Sequence, residues 1–146
     1  MADGRDYKRN ESRGQQQTVN IKYYFQNVNL DELKADDITT ATKQFSEELC
    51  RKDFKSNQLR KFYNEIMALK SKYQPPITDN QLKLDLAIFL SKIEYGKNKA
   101  KKEEKLSFEF YLKNIESIIK KVNNEKNFNN LITIMEAIVA YFPKQK

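Results

Sequence analysis

The chain has 146 residues and a net charge of +7, from 27 Lys and Arg against 20 Asp and Glu, with no histidine and one cysteine. The usual general base near neutral pH is therefore missing, and one cysteine can neither close an internal disulfide nor complete a Cys-rich zinc cluster. Glycines at only 4, 14 and 96 form no phosphate-cradling loop, and so few glycines and prolines in a chain sized for one domain favour long elements and an all-α fold.

Residues 1–20 hold two glycines, three consecutive glutamines and almost no aliphatic side chains, the composition of a flexible tail, made basic by Arg5, Lys8, Arg9 and Arg13. A single helical domain is expected over 21–146. Tyr23, Tyr24 and Phe25 open it as a strap packed on the helices, and Leu30–Leu33 reads as a short helical turn. Asp36 or Asp37 caps a first helix running to about Lys52, with Ile38, Ala41, Phe45, Leu49 and Cys50 inward, so that Cys50 reads as a core thiol.

Ser56 or Asn57 caps the second helix, whose Leu59, Phe62, Tyr63, Ile66, Leu69 and Tyr73 form an amphipathic stripe ended by Pro75 and Pro76. Asp79 starts a third, with Leu82, Leu86, Phe89, Leu90 and Ile93 on one face and Leu84, Ile88 and Tyr95 on a second strip, which predicts a central helix. The charged run KNKAKKEEK, Lys97–Lys105, is solvated, either extending that helix or forming a loop. A fourth helix spans about Leu106 to Val122, and Asn123 and Asn124 mark its end. Asn127 or Asn129 caps the last.

That last helix carries LITIMEAIVAYF, Leu131–Phe142, with Glu136 its only charge. Leu131, Ile134, Met135, Ile138, Tyr141 and Phe142 share one face, while Ile132 and Val139 widen it, so the helix must be enclosed on more than one side. It is too short for a bilayer, which needs about 20 apolar residues. The sum is a helical bundle of about five helices with a flexible basic N-terminal tail.

Positive charge is clustered. Arg51–Tyr73 holds seven basic residues against Asp53 and Glu65, and Lys97–Lys105 holds five lysines against two glutamates, whereas residues 30–50 carry six acids and two lysines. Lys52 and Lys55 flank a helix start whose free N–H groups attract anions, and Arg60 and Lys61 project from the polar side of the second helix. This arrangement suits a sugar-phosphate chain and reads no bases. Solubilising charge alone would give the same pattern.

Three stretches go further: SNQLRKFYNEIMALK at Ser56–Lys70, KIEYGKNKA at Lys92–Ala100 and MEAIVAYF at Met135–Phe142. In that order they resemble the small subunit of the type III-A CRISPR effector, the Csm complex, over roughly residues 38–142. In that family an Arg follows a Thr/Ser-rich helix start, a Tyr precedes Gly-Arg or a similar basic pair, and the last helix reads MEALVAYF. Arg60 matches the helix arginine, and Gly96-Lys97 replaces Gly-Arg, which keeps the charge but loses the bidentate fork.

The resemblance implies an antiviral-defence role without catalytic residues, cofactor or metal: several copies line up beside the backbone and large subunits and hold the guide RNA–target RNA duplex through phosphates. RNA cleavage would belong to the backbone subunits. Arg60 and Lys97 are the expected RNA contacts by motif, and Arg51, Lys52, Lys55, Lys61, Lys99 and Lys102 by clustering. With no apolar N-terminal run, a cytoplasmic, membrane-free location is expected.

A competing reading is a helical oligomerisation adaptor whose basic edge meets acidic protein surfaces, including residues 30–50 of another copy. A helix-turn-helix regulator fits less well, because no short Gly-containing turn precedes a basic helix.

Overall fold

In the computed structural model, which describes residues 21–72 and 78–144, all regular structure is helical. The N-terminal tail, Tyr73, Pro75 and Pro76 lie outside the described residues. Helix α1 opens as a π-helical stretch, Asp37–Thr42, and continues as α-helix over Lys43–Arg51; α2 is Ser56–Lys72 and α3 Asp79–Lys99. A 3₁₀ turn at Lys102–Glu104 leads into α4, Lys105–Ile119, and α5 is Glu125–Tyr141.

The π-helical opening has a local cause. Ile38, Thr39, Thr40 and Thr42 are β-branched, poor α-formers, and the buried Thr42 hydroxyl donates to the Asp37 carbonyl at 2.6 Å. Neither expected aspartate caps the helix through its side chain in the usual way: Asp37 instead accepts from the Lys34 N–H at 2.8 Å, and Asp36 makes no capping bond. For α3 the cap is Thr78, whose hydroxyl oxygen accepts from the Gln81 N–H, with Asp79 favourably placed in the first turn. Asn124 caps α5 by accepting from the Asn127 N–H at 2.8 Å, so the cap is neither Asn127 nor Asn129. Asn127 is buried and donates to Asp31 instead.

The apolar last helix is enclosed as its periodicity demands: Leu131, Ile132, Ile134, Met135 and Ile138 are buried and Val139 is half-buried. It packs on α1 and α2, and Ser46 of α1 donates to the Ile138 carbonyl at 2.6 Å. Helix α3 lies along α4 and against α2, and α1 also touches α4. Cys50 is half-buried at the outer end of α1, its Sγ 4.0 Å from the Pro143 carbonyl, so the core-thiol expectation fails because the stripe of α1 turns inward at Leu49.

Aromatic rings fill the middle. Tyr111 of α4 stacks against Phe54 at 4.8 Å and Phe62 at 5.8 Å, and Phe108 meets both phenylalanines edge-on. Burial raises the Tyr111 phenol well above its usual pKa and keeps it neutral. Phe54 has no place in any helical stripe. It is buried because it follows the end of α1 in a Schellman turn, in which its N–H donates to the Leu49 carbonyl at 3.2 Å and the Asp53 N–H to that of Cys50 at 2.9 Å.

That turn holds Asp53 at φ 64°, in the left-handed region. A non-glycine residue there costs roughly 1–2 kcal/mol, and a carboxylate at a helix C-terminus opposes the dipole. Asp53→Gly is therefore expected to raise stability by about 0.5–1 kcal/mol after the greater entropy of unfolded glycine is subtracted, read as a higher urea midpoint.

The strap is pinned by polar side chains distant in sequence. Asn114 accepts from the Tyr24 N–H at 2.9 Å and donates to the Lys22 carbonyl at 3.0 Å. The Lys121 ammonium, drawn below its usual pKa by burial, donates to the carbonyls of Phe25, Gln26 and Val28. Asn130 holds the Leu30 carbonyl at 2.8 Å. Phe25, Val28 and Leu30 are thereby buried, and residues 30–32 form a single turn and bend, closed by the Glu32 N–H donating to the Asn29 carbonyl at 3.2 Å, and no regular helix.

Candidate nucleic-acid interface

The two basic segments, separated in sequence by most of α3, meet in the fold. Lys55, Asn57 and Gln58 at the start of α2 share a cleft of about 120 Å³ with Glu104 and Ser107, at the end of the turn that carries Lys102. The Phe54–Phe108 contact at 5.1 Å lies beneath, so the two segments are held together by core packing. On the other side of α2, Arg60 lines a second cleft of about 210 Å³ with Ser56, Phe142 and Lys144. The start of α2, where the Gln58 and Leu59 N–H groups both donate to the Lys55 carbonyl at 3.1 Å, thus stands between two clefts, one edged by Lys55 beside Asp53 and Glu104 and the other by Arg60 and Lys144.

Eight residues were expected here, and their surroundings divide them. Lys55, Arg60, Lys61 and Lys102 are exposed and form no ion pair with a described residue; Lys61 rests 5.9 Å from the centre of the Phe62 ring. Arg51 and Lys52 both turn to Glu48, at 2.8 and 3.6 Å, and the Lys52 ammonium also lies over the Phe110 ring. Lys99 is exposed with its ammonium over the Tyr95 ring at 5.2 Å. Arg51, Lys52 and Lys99 can still reach a phosphate, but each must first give up a partner.

Lys97 differs from the other seven in having two carboxylate partners. Helix α3 runs straight through Gly96 to Lys99, and the Lys97 ammonium, 21% exposed, lies 2.7 Å from Glu94 and 3.0 Å from Glu109. Burial pulls its pKa down, but the hydrogen bonds to Glu94 and Glu109 outweigh this and hold it above that of a free lysine. With two carboxylates on one ammonium, this position presents no net positive charge to a phosphate. Its contribution to stability is complete below the ordinary lysine pKa and is lost only as pH rises through the raised value.

Lys97→Met is accordingly expected to destabilise the fold by about 1–2 kcal/mol, after allowance for partial exposure, by stranding Glu109. RNA affinity should change less than about threefold, since no phosphate contact is lost. Thermal unfolding and filter binding on one preparation check both halves. The stability difference from wild type should hold across the neutral range and narrow only in strongly alkaline solution.

Lys144, which lines the same cleft as Arg60, was not singled out by charge clustering, and Lys105 of the second cluster is engaged within the fold. The Lys105 ammonium donates to the carbonyls of Lys97 and Asn98, both at 3.1 Å, and so ties down the end of α3. A basic residue just past the apolar run of α5 was the only signal for Lys144. Among the described residues no group of three or more Cys, Asp or Glu could hold a metal ion, and no helix is long and apolar enough to cross a membrane.

A family model described as Csm2 Type III-A matches residues 32–145. Nothing among the curated proteins or the solved structures matches the chain.

Proposed function

We propose, because the chain belongs to the Csm2 Type III-A family, that this small subunit of the type III-A CRISPR complex is a non-catalytic clamp that holds target RNA by its phosphates. Membership brings association with the other Csm subunits, and the RNA contact is our reading of the site. The observation that carries it is the joining of the Lys55 and Lys102 segments beside the exposed start of α2, with Arg60 and Lys61 on its next turn. These four exposed cations form no ion pair with a described residue and stand on one corner of the fold, suited to successive phosphates of any sequence.

The clamp acts on the guide RNA–target RNA duplex in the cytoplasm, with each copy contributing a few weak contacts and the aligned copies adding them. Four to six neutralised phosphates per subunit give a log–log salt dependence of about −3 to −4 for single strands. Fluorescence anisotropy of a labelled oligonucleotide titrated at several salt concentrations measures that slope. A slope near zero would remove the electrostatic mechanism.

A further inference from the structure

The chain leaves α5 at Phe142 because Pro143 favours extended backbone in the residue before it; Phe142 has ψ 118°, and its N–H donates to the Val139 carbonyl at 3.3 Å. Phe142 is therefore half-buried and does not continue the inward stripe of its helix. With Leu59, Val139 and Pro143 it forms the apolar wall of the cleft of about 210 Å³ whose charged members are Arg60 and Lys144. Both cations are exposed, and no carboxylate side chain of a described residue lines this cleft, whereas the smaller cleft across the start of α2 contains Asp53 and Glu104.

We infer that this cleft holds one unpaired nucleobase of a bound RNA strand against the Phe142 ring, with Arg60 and Lys144 taking the adjoining phosphates. The inference rests on the phosphate-clamp reading and adds a base site to it. An occupant must answer both halves of the cleft. A protein side chain laid on the apolar wall would leave the two cations at its edge without counter-charge. A nucleotide is flat and apolar at one end and anionic at the other, and Lys55 and Lys61 continue the cationic path from Arg60 along the start of α2. The cleft is also smaller than the roughly 300–1,000 Å³ of a drug-sized pocket, which suits a single ring system. Stacking keeps the site tolerant of sequence, since every base has a π-face.

The site has a consequence for the form of RNA that it takes. Paired bases are stacked within their own duplex and must be pulled out before they can enter. The cleft therefore engages target RNA before it pairs with the guide, or beyond the end of the duplex.

Phe142→Trp tests this directly, because the chain has no tryptophan and the new indole reports on the cleft alone. The full chain is titrated with a short single-stranded RNA, with an abasic ribose-phosphate chain of the same length and with a blunt RNA duplex. The single strand should quench the indole emission, and the other two should not. On wild type, anisotropy should show the single strand bound at least about fivefold more tightly than the abasic chain, the low end for one base on an aromatic ring. That comparison needs no variant, and circular dichroism confirms that the variant folds.

Equal affinity for RNA and abasic chain, an indole that saturating RNA leaves unchanged, or equal quenching by the duplex would each overturn the inference. If assembly with the other Csm subunits quenches the indole and RNA does not, the cleft belongs to a protein side chain and the base assignment falls. The salt slope is measured on the same samples. A steep slope without a base effect removes only the base site, whereas a base effect with a slope near zero removes only the phosphate clamp.

Discussion

Replacing Lys55, Arg60, Lys61 and Lys102 together with glutamate should lower affinity for single-stranded RNA by at least about 100-fold while leaving the melting temperature close to wild type. Losing even the weak contact of one exposed charge is worth roughly 1 kcal/mol at moderate salt, and three or four such losses multiply to that factor before repulsion is added. Stability should hold because none of the four forms an ion pair with a described residue. Three also lie just before α2 or in its first turns, where added carboxylates are favoured by the helix dipole. Anisotropy at one salt concentration and a thermal melt suffice. The quadruple variant should also flatten the salt slope toward zero, which separates lost phosphate contacts from partial unfolding.

Gly96→Leu should do the reverse, destabilising the bundle by about 2–3 kcal/mol with little direct effect on RNA contacts. A methyl carbon at Gly96 would sit 3.1 Å from Phe108 Cε1 and 3.4 Å from Phe62 Cζ, two rings fixed in the aromatic core that supports the corner of the site. A leucine must displace them, and overpacking a close-packed interior typically costs about 1–3 kcal/mol. Gly96→Ala is the control: its single methyl crowds Phe108, but alanine recovers up to about 1 kcal/mol of helix propensity, so its urea midpoint should stay within about 1 kcal/mol of wild type. With Lys97 held by Glu94 and Glu109, the Gly-Lys pair contributes packing and ion pairing to the fold.

The fold was legible wherever burial follows a helical period. Leu59, Phe62 and Ile66, or Leu131, Ile134, Met135 and Ile138, announce their faces because each stripe repeats over several turns. Phe54 and the strap were not legible in the same way. An isolated aromatic between Asp53 and Lys55 has no period, and nothing near Asn114 or Lys121 in sequence reveals carbonyl partners some ninety residues earlier. Hydropathy misled at Leu84, Ile88 and Tyr95, which are exposed, because an apolar strip reads alike whether it meets its own bundle or water.

The candidate site was half legible for a related reason. Clustering found the exposed cations at Lys55, Arg60, Lys61 and Lys102, since free charge is what composition counts. It could not subtract those already engaged: Lys97 by a glutamate twelve residues on, Arg51 and Lys52 by Glu48. The fold adds what the charge count lacked, the contact between the Lys55 and Lys102 segments across the Phe54–Phe108 pair.

Photo-cross-linking of target RNA in an assembled type III-A complex, followed by mapping of the modified peptides, tests the clamp most directly. Adducts from this subunit are expected on peptides spanning Lys55–Lys61 and Lys99–Lys102. A complex that holds its target RNA with no adduct on this subunit, or with adducts confined to the exposed Leu84–Tyr95 strip of α3, would contradict the clamp.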